Sequence, residues 1–270
     1  MKEKPETIKN ITSLFNQLSP TFDSFAEVLQ GKVYGYVTWK HLKNYLPESK
    51  KTLILDAGGG TGRWAVPLGK MGYRIVLCDI SKGMLEQATN KISREGLSDK
   101  VKITEANLIN LSFPDGMFDF VLCEDGPISI SDSHKVVREL ARVLKRGGKI
   151  WASVLGRYPF AFAEVDCHVQ KALKLSRSEI NYVPYKGIEK SRIFTPEELQ
   201  ELFQHHGFKA IKLYGNRIMI RLLPDEIQMM TDYNDKLFSE LADLELYFSE
   251  EPALSGMAEY IQIVAKKGPI

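Results

Sequence analysis

The sequence predicts an α/β fold built on a parallel sheet wound on both faces by helices, and three observations predict it. The stretch from Thr52 to Ser81 reads T-L-I-L-D-A-G-G-G-T-G-R-W-A-V-P-L-G-K-M-G-Y-R-I-V-L-C-D-I-S. That is an apolar run ending in an acid, a glycine loop, a helical segment, a second apolar run and a second acid. Apolar runs then alternate with helix-length segments along most of the remaining chain, the pattern of a parallel sheet with helical crossovers. Finally, 270 residues with 44% hydrophobic and 26% charged content suit one large globular domain, or one with a small cap.

The elements follow in order. The first 45 residues carry two amphipathic helical candidates rich in Phe and Tyr. Leu53-Ile54-Leu55 begins strand one, which Asp56 ends, and Ile75-Val76-Leu77-Cys78 makes strand two, closed by Asp79. Ser81 is positioned to cap a helix from Lys82 to about Glu95, with Met84, Leu85, Ala88 and Ile92 inward and Gly96 as its stop. Val101 to Thr104 reads as strand three and Phe118 to Cys123 as strand four. Helical spacing through Val136, Val137, Leu140, Val143 and Leu144 predicts a helix over Asp132–Arg146, ended by Gly147-Gly148, and Lys149 to Leu155 reads as strand five.

From Gly156 to Arg192 the rhythm breaks, aromatics interleave with charges, and no strand is predicted. Thr195 then caps a helix whose first position is Pro196 and which runs to about His206. Phe208 to Tyr214 reads as strand six, a long helix is predicted from Asp225 to about Tyr247, and Tyr260 to Lys266 reads as strand seven. The expected division is therefore an N-terminal helical segment over 1–45 and a core over 46–156 and 193–270. A cap insertion spans 157–192, and a second insertion spans 216–256. Ligands of open parallel sheets bind beyond the carboxyl ends of the strands, so the N-terminal helices and both insertions are candidates for a lid over that edge.

Composition excludes several classes. A net charge of +2 supplies no field for nucleic acid or an anionic membrane. No apolar run approaches the roughly 18 residues that span a bilayer, and the N-terminus lacks the apolar core of a signal peptide. Three cysteines without a CxxC pair fit no disulfide framework and suit a reducing cytoplasm. Cys78 and Cys123, inside apolar runs, read as small buried hydrophobes. No histidine pair has ligand spacing with a supporting acid, so no metal is expected.

The glycine loop admits two cofactors on spacing alone. Gly60-x-Gly62-x-x-Ala65 matches the dinucleotide pattern, with Asp79 about 20 residues on to hold a ribose. Asp56, Gly58, Gly60 and Gly62 instead make D-x-G-x-G-x-G. Asp56 at the strand end would repel a pyrophosphate and welcome a cationic ligand. The later strings L-S-F-P-D-G-M-F-D-F-V and R-V-L-K-R-G-G have no counterpart in the dinucleotide scheme.

With these strings together, the chain resembles the class I S-adenosylmethionine-dependent methyltransferases, in the group acting on small molecules and quinones. L-D-A-G-G-G-T-G-R and Asp79 carry the first two motifs. L-S-F-P-D-G-M-F-D-F-V, R-E-L-A-R-V-L-K-R-G-G-K-I and F-T-P-E-E-L-Q-E-L-F-Q-H-H-G-F carry the rest, so the likeness runs from about Thr52 to Phe208 plus the last strand. It implies a Rossmann-like, doubly wound, seven-stranded sheet, mostly parallel with the last strand antiparallel, under an α-helical cap. It implies S-adenosyl-L-methionine as methyl donor, with S-adenosyl-L-homocysteine as product. Asp56 and the Gly58–Gly62 backbone would contact the methionyl part, and Asp79 the ribose hydroxyls. Ile80 and Met84 would line the adenine pocket. Asn107, followed by Leu108, stands where the family often has an acid, and its amide oxygen can accept from the adenine amino group.

Methyl transfer from a sulfonium needs alignment and exclusion of water, and a base only when the acceptor arrives protonated. Glu124 and Asp125 follow strand four, the position that faces the methyl group in this fold, and both are candidate catalytic residues, with Glu124 also a cofactor-site candidate. His134, in the first turn of the next helix, is a third catalytic candidate. Arg63 and Trp64 read as surface and packing residues. The strand-four mouth lacks the N/D-P-P-Y/F tetrapeptide of amino-methylating nucleic-acid enzymes, so the expected partner is a small-molecule acceptor and not nucleic acid. A non-catalytic cofactor-binding regulator and an NAD-dependent oxidoreductase remain as alternatives.

Overall fold

The computed structural model describes residues 5–268; the ends of the expected N-terminal segment and of the core lie outside them. Three helices come first: α1 (Pro5–Leu18), α2 (Ser24–Glu27) and α3 (Leu29–Leu42). Then follow β1 (Leu53–Ala57), α4 (Ala65–Lys70), β2 (Arg74–Asp79), α5 (Lys82–Arg94), β3 (Val101–Glu105) and β4 (Phe118–Cys123). Next come α6 (Pro127–Ile130), α7 (Ser133–Val143), β5 (Leu144–Gly156), α8 (Tyr158–Phe162), α9 (Val169–Ser176), β6 (Tyr182–Tyr185) and β7 (Ile188–Phe194). The chain closes with α10 (Pro196–His205), β8 (Phe208–Asn216), α11 (Asp225–Gln228), α12 (Asp235–Ser249) and β9 (Tyr260–Lys267). No described helix is long and apolar enough to cross a membrane.

The sheet core runs β3-β2-β1-β4-β5-β9-β8. The pairs from β3 to β5 are parallel, and β9 is antiparallel to both β5 and β8. This is the expected seven-stranded arrangement with its last strand reversed. Successive strand residues face opposite sides. Leu55 and Ala57 join Val121, Cys123 and the inner faces of α7 and α10 in one core, whereas Ile54 joins Leu77, Leu122, Trp151 and residues of α3, α4 and α5 in another. Cys78 and Cys123 are buried, as their apolar setting predicts. Ser81 caps α5 by accepting from Met84 N, and Thr195 and Glu198 form a reciprocal capping box on α10.

Three details differ from the sequence expectation. The region predicted to lack strands contains the hairpin β6–β7, raising the total to nine strands. These strands are short, β6 contains Pro184, and charges crowd β7, so their alternation is weak. The turn chemistry was nonetheless present: Lys186 and Gly187 have φ of 46° and 83°, the two-residue loop that matches strand twist. The helix predicted over Asp132–Arg146 ends at Val143, and β5 begins at Leu144. The long helix predicted from Asp225 splits into α11 and α12, because Asn234 accepts from Leu237 N and starts a second helix.

Arg157 ties the cap insertion to the sheet. Its side chain is fully buried at the end of β5. The guanidinium donates to Leu175 O (3.1 Å), Ile180 O (2.7 Å), Asn181 Oδ1 (2.7 Å) and Glu198 Oε2 (2.8 Å). One planar fork thus holds α9, the start of the hairpin and the cap of α10 together, a geometry lysine cannot reproduce. Arg157→Met should therefore destabilise the protein by about 3 kcal/mol, the cost of stripping the donor from several inward-facing acceptors. Denaturant unfolding checks this, and a midpoint unchanged from wild type would remove Arg157 from that role.

Candidate functional site

The carboxyl ends of β1, β2 and β4 open into one cleft enclosing about 950 Å³ of space, its mouth included. Asp56, Gly58, Gly60, Asp79, Ile80, Met84, Asn107, Leu108, Glu124 and Asp125 all line it, so nearly every residue singled out from sequence converges there. Gly62, the remaining glycine of the motif, sits one step behind and turns the chain into α4 with φ of 82°.

Two glycines explain the loop. Gly58 has φ of 72°, and a Cβ there would stand 2.7 Å from the Pro127 ring. At Gly59 a Cβ would fall 2.7 Å from the carboxyl carbon of Asp56. Both amides donate to Cys78 O, at 2.8 and 3.0 Å, which ties the loop to the end of β2. At Gly58 and Gly59 the loop is therefore a backbone wall pressed against its neighbours, with no room for a side chain.

Four carboxylates surround the cleft, and each is satisfied differently. Asp79 accepts from Gly60 N through Oδ2 (3.0 Å) and from Ser81 N through Oδ1 (2.9 Å). Burial raises its pKa while these amides pull it back down. Glu124 is buried, and its Oε1 accepts from Tyr34 Oη (2.6 Å) and from Gln262 Nε2, while Oε2 accepts from Trp151 Nε1 (2.7 Å). Burial, and then the charge of Asp125, hold its carboxyl above the usual range despite those three donors. Asp125 lies at the strand-four mouth in a left-handed conformation, φ 66°. Its Oδ2 is 3.4 Å from Trp64 Nε1, and Oδ1 is 4.0 Å from Arg63 Nη1.

Asp56 differs from all three. It is only 1% exposed, and among the described residues neither carboxylate oxygen completes a hydrogen bond, the Ala65 amide approaching it only closely enough to lower its pKa a little. Burial, reinforced by Asp125 and Asp79, pushes its pKa up to about 7. An isolated buried carboxylate is costly when ionised, so the group favours the proton until a cation reaches it.

Several lining residues escaped the sequence reading. Ile8, Ile11 and Phe15 of α1 and the following Phe22 form the roof, and Thr61, Pro127, Ile130 and Ser131 complete the walls. Arg63 and Trp64, expected on the surface and in packing, also line the cleft. The roof is pinned at two points. Asn16 Oδ1 accepts from Ser81 Oγ (2.8 Å) and Gly83 N (3.0 Å). Asp23 accepts from Thr61 Oγ1 (2.6 Å) and pairs with Lys91 (2.7 Å). The N-terminal helices are expected as a lid over this edge, whereas the individual residues that face the cleft are fixed only by these contacts.

One candidate is already engaged by its own loop, and another falls outside the cleft. Asn107 Oδ1 accepts from Ile109 N (3.1 Å), so the oxygen expected at the adenine amino group already closes a local turn. His134 does not line the cleft; it starts α7 facing outward, with Nδ1 3.3 Å from His206 Nε2. The short helix α6 separates the strand-four mouth from His134, which is exposed, and sequence proximity hid that.

Residues 55–152 match the family model of the methyltransferase domain. A ubiquinone/menaquinone biosynthesis C-methyltransferase, UbiE, from Marinomonas sp. is 28% identical over 155 residues, which cover 55% of this chain and 61% of that protein. The match thus spans less than two thirds of that relative's length. A demethylmenaquinone methyltransferase from Listeria welshimeri is 28% identical over 222 residues, 76% of this chain and 89% of the relative. Residues 55–152 thus match a methyltransferase domain, and the chain is similar to methyltransferases of this kind. A solved S-adenosylmethionine-dependent methyltransferase from Thermotoga maritima, described as a possible histamine N-methyltransferase, shares the fold with a TM-score of 0.61 at 20% identity. That alignment covers 95% of this chain and 99% of the other.

The electrostatics of Asp56 carry a consequence for stability. Its folded-state pKa, about 7, lies above the ordinary aspartate value of 3.8, so the folded state holds the proton more tightly. Stability from this group is then fully present below about pH 4 and is lost as pH rises through about 7. Asp79 and Glu124 are shifted the same way. In Asp56→Asn the decline of unfolding free energy between those pH values should be shallower than in wild type, both without ligand. Parallel pH profiles for the two proteins would contradict this.

Proposed function

We propose that the protein transfers a methyl group from S-adenosylmethionine to a small, largely apolar organic acceptor. The observation that carries the reading is the pair of carboxylates in the methyltransferase-domain cleft. Asp79 is held by two backbone amides, and among the described residues Asp56 is buried with no completed hydrogen bond.

The residues present fit the cofactor. Asp79 is oriented by its amides and keeps lone pairs for ribose hydroxyls, since a carboxylate offers about four acceptor sites. Ile80, Met84 and Leu108 give an apolar slot for a purine. Asp56, together with the Gly58–Gly60 backbone, suits the cationic methionyl end, which supplies the positive charge this carboxylate lacks. S-adenosylmethionine supplies a methyl group on a sulfonium sulfur, electrophilic enough that in-line displacement needs no metal or acyl intermediate.

The chain's own contribution is placement and proton handling. Phe15, Phe22, Trp64 and Ile130 around the mouth favour a planar or apolar acceptor and exclude water. Asp125, on strained backbone at that mouth, is the carboxylate available to take a proton from an acceptor hydroxyl or acidic carbon. Glu124, with donors on both oxygens, instead fixes Tyr34, Trp151 and Gln262 behind the cleft wall. The quinone-type acceptors in the relatives' names match an apolar mouth, and a quinol-like ring is the acceptor class we favour. The proposed cap consists of α1–α3, the 157–192 insertion and the 216–256 insertion. The proposed compartment is the reducing cytoplasm, on the strength of three free cysteines.

Equilibrium binding of S-adenosylhomocysteine and of NAD, followed by turnover of labelled S-adenosylmethionine over a panel of quinols and phenols, tests the reading. S-adenosylhomocysteine should bind and NAD should not. Asp79→Ala should weaken S-adenosylhomocysteine by more than about tenfold, the loss expected for a charged hydrogen bond of roughly 1.5–3 kcal/mol. Tight NAD binding without S-adenosylhomocysteine affinity would overturn the proposal. Binding without turnover on any acceptor would reduce it to a cofactor-binding protein.

A further inference from the structure

Outside the cleft, one cluster brings together side chains that neither the fold nor the proposed reaction uses. His134 lies in the first turn of α7, His205 is the last residue of α10, and His206 follows as its C-cap. One ring nitrogen from each lies within 4.8 Å of the other two. His134 and His205 are exposed and His206 is half-buried, so the cluster opens to solvent and a hydrated ion can reach it.

Adjacent residues on a continuing helix point about 100° apart and do not converge. Here they do, because the helix ends: Gly207, φ 81°, turns the chain toward β8 and swings His206 out of the helical path beside His205. The platform beneath is rigid. Val137 and Leu140 of α7 and Leu199, Leu202 and Phe203 of α10 belong to one buried cluster, and Ser133 accepts from Arg192 at 2.6 Å. The rings are therefore held by two elements whose separation the core fixes.

One of the three nitrogen–nitrogen spacings is that of a coordination site, and the other two lie within 4.8 Å. Two imidazole nitrogens on one tetrahedral zinc, each at about 2.0–2.1 Å, stand roughly 3.3–3.4 Å apart. His134 Nδ1 and His206 Nε2 are 3.3 Å apart. A hydrogen bond between two neutral rings would account for that pair alone, and it gives no reason for a third ring to close on the same point. We propose that His134, His205 and His206 form a surface site for a borderline-soft divalent cation such as Zn²⁺, with water as the fourth ligand. Three imidazoles without a carboxylate favour Zn²⁺, Ni²⁺ or Cu²⁺ and disfavour Mg²⁺ and Ca²⁺, which require oxygen ligands. The local field points the same way. The carbonyl end of α10 attracts a cation, as does Asp132, whereas Arg138, Arg192 and the amide end of α7 oppose it. Such a balance rejects weakly coordinated ions and admits only those that form strong bonds to nitrogen.

A bound ion would clamp α7 to α10. The segment that leads into α7 carries Pro127, Ile130 and Ser131 on the cleft wall, so the clamp would also stiffen one side of the cleft. The site is independent of the methyl-transfer reading, because none of its ligands lines the cleft.

The test is calorimetric titration of Zn²⁺ into the untagged full-length protein, with Mg²⁺ in parallel, on wild type, His134→Ala and His205→Ala. Wild type should bind one Zn²⁺ per chain with micromolar or tighter affinity and show a raised Tm, and Mg²⁺ should give neither effect. Each variant should lose at least about tenfold in affinity, since even outer partners of metal ligands cost that much. These side chains are exposed, so the metal-free Tm of the variants should match wild type and separate lost ligation from misfolding. Absence of a stoichiometric site, or equal Zn²⁺ affinity in wild type and both variants, would overturn the proposal.

Discussion

The buried carboxylate of Asp56 is the constraint around which the cleft is organised. It sits at the carboxyl end of β1, between β2 and β4, and among the described residues the Ala65 amide approaches it without completing a hydrogen bond. Gly59 must lack a side chain because the carboxyl group occupies that space. Gly58 must lack one because Pro127 closes from the β4 side. The loop then has its amides free to lean on β2 and on Asp79, which orients the second carboxylate. Asp56 thus accounts for Gly59, Pro127 for Gly58, and the Gly60 amide for the orientation of Asp79. Folding alone gains nothing from the buried acid; a cationic ligand does.

The other carboxylates are graded by how much the protein gives them. Asp79 receives backbone amides, Glu124 receives Tyr34, Trp151 and Gln262, and Asp125 receives only the long approach of Trp64 and Arg63. Groups that position others are saturated, whereas groups that meet ligand keep open valences. Glu124 also links distant parts of the chain, because its donors come from α3, β5 and β9. The wall behind the cleft is thus built by the same bonds that join the N-terminal helices to the sheet.

Much of this was legible from the residues. The parallel sheet with helices on both faces follows from the alternation, and the capping signals at Ser81 and Thr195 are local. The glycine loop and Asp79 are local as well. What failed depended on tertiary context. The β6–β7 hairpin is too short and charged to show a period, and Asn234 interrupts a helix whose apolar residues continue on both sides. Ile8, Ile11 and Phe15 show an amphipathic face, yet only the Asn16 bonds to Ser81 and Gly83 decide where that face lands. His134 was misread because proximity along the chain to the strand-four mouth is not proximity in space. The trio of His134, His205 and His206 has no sequence signature, since its two halves lie about seventy residues apart and meet only through helix packing.

The most direct test of the central claim is the proton balance of cofactor binding. Calorimetric titration of S-adenosylmethionine near pH 6.5, in buffers of different ionisation enthalpy, reads the protons exchanged on binding. If Asp56 waits protonated for a cation, wild type should release a substantial fraction of one proton, because the arriving charge lowers the pKa from about 7. The release should shrink sharply in Asp56→Asn. Binding without proton release, or equal release by the two proteins, would contradict the account.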